Sequence, residues 1–349
     1  MLPLPIFDYH RPRTLGEALG LLARLGDKAR IIAGGTDVLP NMKQGLFDPE
    51  HVVSIGRLEE LRGISIEPTG PKGPERLVIG AAMRLAEIAE SLLVRRGAPA
   101  LAEAAGLVGG PHHRAMGTLG GNVCLDTRCR YYNQTYFWRK SLGFCLKKDG
   151  TVCHVVKGGQ KCVAAASNDS APVLVALEGE IRILGPRGER RVVADDFYTA
   201  DGIKNTVLEP GEVVVSIALP LVPGRRSAFE KLRRRGAIDF PLLSIAARAD
   251  HEVGDTGLPT GVLRSLDVVV SSLGARPRRL RAATKVAPGA DASHRSGAAE
   301  AHSGLAESLA AAAFAECKPL TNLDEDAEWR RDMIRVLVKK AVQRAIAAA

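Results

Sequence analysis

The sequence predicts an α+β protein, with two small α/β subdomains followed by an α+β C-terminal domain. Three patterns predict it. Helix and strand periodicities alternate in the first 57 residues, turn-punctuated strands cross the middle, and the last third passes from alternating strands to two helices. A length of 349 residues suits two or three domains with ordinary cores.

Thr14 and Glu17 have capping-box spacing, and Leu15, Ala18, Leu19, Leu22 and Leu25 follow at helical intervals until Gly26. Residues 29–33 read as a buried strand running into Gly34-Gly35-Thr36-Asp37, and residues 51–55 as another strand. A second unit starts near Leu58. Its elements are a strand at 76–80, an amphipathic helix over 85–94 with Leu85, Ile88, Leu92 and Leu93 on one side, and helical sequence from Leu101 to Leu107. Residues 172–177 are apolar, 180–184 and 190–193 form a hairpin around Gly185 to Gly188, and 212–219 alternate as a strand. The segment 220–226 is the candidate boundary. Beyond it come antiparallel strands at 242–248 and 265–272, and a loose Ala/Gly/Ser-rich loop over 282–304. Helices at 305–315 and 327–348 close the chain, the last with Met333, Val336, Leu337, Lys340 and Ala341 on its packing stripe.

Hydrophobic content of 46% and charged content of 25% are ordinary for a globular chain, and aromatics at 4% leave the cores to Leu, Val, Ile and Ala. No apolar run reaches the roughly 18 residues of a membrane span, and the start shows no secretory pattern. The expected compartment is cytoplasmic and reducing, where clustered cysteines bind metal more often than they pair. The net charge is +9, but the arginines fall in short scattered groups without interleaved aromatics. That pattern reads as a solvated surface or a docking face for an acidic subunit, with no nucleic-acid groove.

Two glycine pairs stand beside hydroxyl or amide donors: Ala33, Gly34, Gly35, Thr36, Asp37 and Val38 in one segment, Gly117, Thr118, Gly120, Gly121 and Asn122 in the other. Paired glycines bring backbone N–H groups close to an anion, and two such loops suit a dinucleotide pyrophosphate gripped from both sides. The spacing is not the G-x-G-x-x-G of a nicotinamide-binding Rossmann unit.

Five of the six cysteines fall within residues 124–162, and Cys129, Cys145, Cys153 and Cys162 are separated by 16, 8 and 9 residues. Four thiolates satisfy a zinc ion or an iron–sulfur cluster; close C-x₂₋₄-C pairs favour zinc, and these long gaps favour one large cluster. Cys124 is an alternative ligand, assigned instead to the nucleotide side because it adjoins Gly120 and Gly121. His154 reads as a residue beside the ligands. Arg128, Arg130, Arg139, Lys140, Lys147, Lys148, Lys157 and Lys161 offset the thiolate charge, and Tyr131, Tyr132, Tyr136, Phe137 and Trp138 form either a dry wall or the segment's own small core.

The segments Ala33–Val38 (AGGTDV), Ile79–Ala82 (IGAA), Thr118–Asn122 (TLGGN), Asn168–Leu174 (NDSAPVL) and Phe229–Arg235 (FEKLRRR) together resemble the FAD-binding (medium) subunits of the molybdenum hydroxylases, the family of xanthine and carbon monoxide dehydrogenases. Most members pass directly from the Gly-Gly-Asn loop to the segment of Asp169, and this chain has an insertion of about 40 residues there. That insertion resembles the one in the β subunit of 4-hydroxybenzoyl-CoA reductase, which carries an extra [4Fe-4S] cluster.

The resemblance implies an FAD-binding domain of the PCMH/vanillyl-alcohol-oxidase type, with subdomains at 1–57 and 58–222 and the iron–sulfur insertion at about 124–164. A C-terminal domain of the CO dehydrogenase flavoprotein type would occupy 223–349. It implies FAD on the two glycine loops, Asp169 at polar groups of the flavin nucleotide, Lys231 near the isoalloxazine, and Cys129, Cys145, Cys153 and Cys162 on the cluster. No residue of this chain would be catalytic. The partners implied are a molybdenum-cofactor large subunit and a small subunit with [2Fe-2S] clusters, as a dimer of heterotrimers, with a ferredoxin-like donor or acceptor outside. The reaction implied is reductive dehydroxylation of 4-hydroxybenzoyl-CoA; the alternatives are an oxidative hydroxylase of the same family and, from another class, a zinc-bearing scaffold or nucleic-acid-binding module.

Overall fold

The computed structural model describes residues 2–70, 73–255, 259–285 and 298–347. The first unit holds strand β1 (Asp8–His10), helix α1 (Leu15–Leu25), β2 (Ala29–Ile32), α2 (Val38–Lys43) and β3 (His51–Ser54). Its three strands pair in parallel in the order β1-β3-β2. Thr14 Oγ1 caps α1 by accepting the Glu17 N–H at 3.1 Å, while the Glu17 carboxylate reaches back to the Arg13 N–H rather than to Thr14. Leu15, Ala18 and Leu22 of α1 pack on Val53.

The second unit begins with β4 (Ile64–Pro68) and β5 (Glu75–Gly80), followed by helices α3 (Leu85–Glu90), α4 (Leu92–Gly97), α5 (Pro99–Gly106), α6 (Pro111–Met116), α7 (Leu119–Val123), α8 (Tyr136–Ser141) and α9 (Ser170–Ala176). It ends with β6 (Glu180–Gly185), β7 (Gly188–Val193), α10 (Ala194–Phe197) and β8 (Val213–Pro220). The sheet runs β4-β5-β8-β6-β7, antiparallel throughout. The single helix expected over 85–94 is two, because Ser91 leaves helical geometry and its side chain caps α4 at Val94. The break turns Leu92 and Leu93 to solvent and buries Val94.

The third unit is a four-stranded antiparallel sheet, β12-β11-β10-β9, from β9 (Arg225–Leu232), β10 (Leu243–Val253), β11 (Pro259–Ser271) and β12 (Arg278–Arg279). Helices α11 (Ala298–Glu316) and α12 (Ala327–Ile346) cover one face. Of the loose loop expected over 282–304, residues 286–297 lie outside the described residues; the described remainder is a 3-10 turn and the first residues of α11. The buried stripe of α12 is Ile334, Leu337, Val338, Ala341, Val342 and Ala345, with Arg330 beneath it, whereas Val336 and Lys340 face outward. Phe229, Ala246 and Val269 join the second unit's core and seat the third sheet against it.

Residues 124–168 form an irregular excursion closed at its neck. Arg128 and Ala165 exchange N–H···O bonds of 2.8 and 2.7 Å. The fully buried Arg139 donates to the carbonyls of Gln44 and Gly45, and Asn322 takes the Arg130 N–H and donates to Val163 O, so the excursion is tied to both the first and third units.

Candidate functional site

A cleft of about 620 Å³ opens between the first and second units, within the range of small-molecule and cofactor sites. Ala33, Gly34, Gly35, Thr36, Asp37 and Val38 line one side; Gly117, Thr118, Gly120, Gly121 and Asn122 line the other, with Asp169 at the floor. The glycines have separate duties. A Cβ on Gly34 would stand 2.1 Å from Met116 O, so this residue lets the two loops touch. Gly35 sits at φ +73°, the left-handed region. A Cβ on Gly121 would meet only Thr118 Oγ1, at 3.1 Å, and the rest of its space is the cleft.

Leu39 and Asn41 donate to Gly35 O and Asp37 O at 3.3 and 3.1 Å. The preceding N–H groups therefore stand at the entry of α2 without intrahelical acceptors, beside the cleft. Thr118 and Asn122, expected as ligand donors, are partly spent within the fold. Thr118 Oγ1 accepts the Gly121 N–H (3.1 Å), and Asn122 Oδ1 accepts both the N–H (3.1 Å) and the hydroxyl (2.6 Å) of Ser170.

Asp169 is buried at 3% side-chain exposure; its Oδ2 lies 2.8 Å from Lys231 Nζ, and its Oδ1 has no hydrogen-bond partner. Burial pushes its pKa up to about 6, against the pull of the Lys231 charge. Lys231 also donates to Leu107 O (3.0 Å) and stands behind Asp169, off the cleft wall. A buried aspartate on the lining of a cleft of this size, with one carboxylate oxygen unpaired and glycine loops on both sides, suits a flavin nucleotide that brings its own donors.

A second, small cavity of about 20 Å³ lies in the excursion and is lined by all four of Cys129, Cys145, Cys153 and Cys162, with Tyr131, Tyr132, Lys147 and His154. All six cysteines are free thiols. Backbone N–H groups of Val156 and Ala164 point at Cys153 Sγ and Cys162 Sγ, each at 3.5 Å. Burial pushes the Cys129 thiol up to about 12, and its three neighbours add to the rise; burial likewise raises the Cys162 thiol. Among the described residues no three His, Cys, Asp or Glu side chains close to the distance that one metal ion requires. Four sulfurs each about 2.3 Å from a single zinc crowd together, whereas a cluster places each on a separate iron.

Cys124 opens into the large cleft and is absent from the small cavity. Cys317 is buried in the third unit's core. His154 lines the small cavity with one ring nitrogen engaged by Phe144 O at 2.6 Å.

The expected ring of basic side chains around the thiols is corrected in most members. Arg128 turns away to Asp37 (2.9 Å) and to the Phe240 ring (4.0 Å) on the cleft wall, Arg139 is a strut, and Lys148 pairs with Asp149. Of the eight, Lys147 alone lines the small cavity. Arg30, Asp126, Ile238 and Phe240 also wall the cleft; nothing local in the sequence distinguishes Arg30, Ile238 or Phe240. Asp126 was signalled only by its place between Cys124 and Cys129. The tyrosines split the two aromatic readings: Tyr131 and Tyr132 line the cavity, while Tyr136, Phe137 and Trp138 are exposed.

Comparison with known proteins gives two family matches. Residues 5–222 match the FAD binding domain in molybdopterin dehydrogenase, and residues 227–345 the CO dehydrogenase flavoprotein C-terminal domain. The chain is 32% identical to the carbon monoxide dehydrogenase medium chain of Hydrogenophaga pseudoflava, over 99% of this chain and 98% of that one. It is 27% identical to the xanthine dehydrogenase FAD-binding subunit of Escherichia coli O157:H7, over 98% and 97%. Among solved structures, carbon monoxide dehydrogenase from Hydrogenophaga pseudoflava superposes with a TM-score of 0.72 at 28% identity, covering 98% of each chain.

Proposed function

The chain belongs to the FAD-binding medium subunits of the molybdenum hydroxylases, and from that premise we propose that it is an electron relay between a molybdenum-bearing complex and an outside carrier, holding FAD in the large cleft and a [4Fe-4S] cluster in the small cavity. The observation that carries the reading is the meeting of four cysteines, spread over 34 positions, around one cavity whose partition from the cleft is residues 124–129. Bound FAD supplies exchange of electrons singly or in pairs. The residues for it are Ala33, Gly34, Gly35, Thr36, Asp37, Val38, Gly117, Thr118, Gly120, Gly121 and Asn122 at the pyrophosphate, with Asp169 Oδ1 accepting from the nucleotide's polar groups and Lys231 holding Asp169 in place. Cys129, Cys145, Cys153 and Cys162 are the residues for the cluster.

The direction proposed first is oxidative, with electrons leaving a substrate on a molybdenum large subunit, passing a small [2Fe-2S] subunit and departing through this chain. Relatives named as carbon monoxide and xanthine dehydrogenases support it. A second reading, reductive dehydroxylation of 4-hydroxybenzoyl-CoA fed by a ferredoxin-like donor, is supported by the thiol cavity with its 16, 8 and 9 residue gaps. Either direction needs a carrier. Residues 130–161 contain one acid, Asp149, against Arg130, Lys140, Lys148, Lys157, Lys161 and the buried Arg139 and Lys147. With Phe137 and Trp138 exposed in the same segment, the surface of the excursion suits an acidic one-electron carrier. The free thiols fit a cytoplasmic setting, and no helix among the described residues is long and apolar enough to cross a membrane.

The test is anaerobic flavin absorbance in the intact complex. The oxidative reading expects bleaching on addition of an oxidisable substrate (carbon monoxide, xanthine or an aldehyde) with no carrier present. Reduction only by a low-potential one-electron donor, reversed by 4-hydroxybenzoyl-CoA, would replace it with the second reading.

A further inference from the structure

Lys147 is buried at 5% side-chain exposure, yet it is not held by the thiols whose cavity it lines. Its ammonium donates to Asp126 Oδ1 (2.6 Å), Thr127 Oγ1 (2.5 Å), Gly202 O (2.7 Å) and Thr127 O (3.3 Å), and lies 4.5 Å over the Tyr132 ring. Asp126 in turn accepts the Tyr132 hydroxyl at 3.0 Å and lines the large cleft. Asp126 lines the cleft and Lys147 the cysteine cavity, so the pair stands between the two, and the Lys147 charge acts on Cys162 across it.

We propose that the buried Asp126–Lys147 pair is a fixed dipole that sets the midpoint potential of a cluster bound by Cys129, Cys145, Cys153 and Cys162, with Lys147 making its reduction easier. A cluster with four thiolates is an anion, and reduction by one electron, taken from a carrier that is oxidised in the same step, adds a further negative charge. A nearby ammonium stabilises the reduced form more than the oxidised one, and a low-dielectric wall preserves the effect. The same ammonium lowers the cost of a thiolate at Cys162, opposing the rise that burial imposes. Of the lysines and arginines among the described residues only Lys147 lines this cavity; His154 lines it too, with one ring nitrogen engaged by Phe144 O.

The proposal rests on the cluster reading above, and iron content separates the two. Wild-type chain prepared without air and lacking iron would remove the cluster reading itself. With the cluster present, midpoints are read by redox titration monitored by electron paramagnetic resonance in wild type, Lys147→Met and Asp126→Asn. Lys147→Met is expected to shift the cluster midpoint negative with iron and flavin contents unchanged, and Asp126→Asn to shift it positive. A Lys147→Met protein with full iron and an unmoved midpoint overturns the proposal. Should that variant fail to hold iron, Asp126→Asn decides: a positive shift supports the dipole and an unmoved midpoint overturns it.

Discussion

Gly34 and Gly121 look alike in sequence, and the space around them assigns them different work. Gly34 is required by the backbone of Met116 at 2.1 Å, whereas Gly121 borders the cleft. Gly121→Val should leave the apo chain within about 1 kcal/mol of wild type while overpacking the bound nucleotide by roughly 1 to 3 kcal/mol, a loss of about 5- to 150-fold in FAD affinity. The flavin-to-protein absorbance ratio after gel filtration reads this, and a wild-type ratio would contradict it. Asp169 makes a prediction in pH. Its pKa of about 6 in the fold stands above the roughly 3.9 of an unfolded aspartate, opposite to the usual surface carboxylate. Between these values the folded chain binds the extra proton, so stability falls as pH rises from about 4 to about 6, by roughly 2 to 3 kcal/mol. Urea titrations of apo wild type and Asp169→Asn across that window should show the slope in the first and its loss in the second. Equal slopes would mean that Asp169 is not the titrating group.

At the scale of elements, Arg330 holds the third unit together. It is fully buried on α12 and donates to Leu242 O (3.0 Å), Leu320 O (2.8 Å) and Ser272 O (2.7 Å), one before β10 and one just after β11. Arg330→Met leaves two buried carbonyls and a partly buried one without their donor and should cost about 3 to 5 kcal/mol. Lysine cannot reproduce the fork and should recover little of it, as thermal or urea unfolding would show. Elements with strong local signals were legible in sequence: α1 through its cap and stripe, the β6–β7 hairpin through Gly185 and Gly188, and β2 and β3 through short apolar runs. The elements that were missed lack such signals. Strand β9 is dense in Arg, Glu and Lys because its charges pair across units, Lys231 with Asp169 and Arg225 with Glu178. Helices α6, α7 and α8 are five or six residues long and are held by tertiary contacts.

At the scale of the whole molecule, both glycine loops and the four cysteines that line the small cavity were legible as motifs, because unusual residue types at fixed places survive without context. Their surroundings were not. Arg128, placed by sequence beside the thiols, belongs to the cleft through Asp37, a contact across 91 positions of chain. The excursion is anchored at its neck and by Arg139 and Asn322, so its fold does not depend on any one thiol. Cys145→Ser should therefore lose the cluster and keep FAD; cluster absorbance at wild-type strength in that variant would remove Cys145 from the ligand set.

The most direct measurement is the cofactor stoichiometry of the chain purified without air. The relay account predicts one FAD, with iron and acid-labile sulfide each near four per polypeptide. A yellow protein that holds flavin but neither iron nor sulfide would contradict it and leave a medium subunit whose four cysteines serve the fold alone.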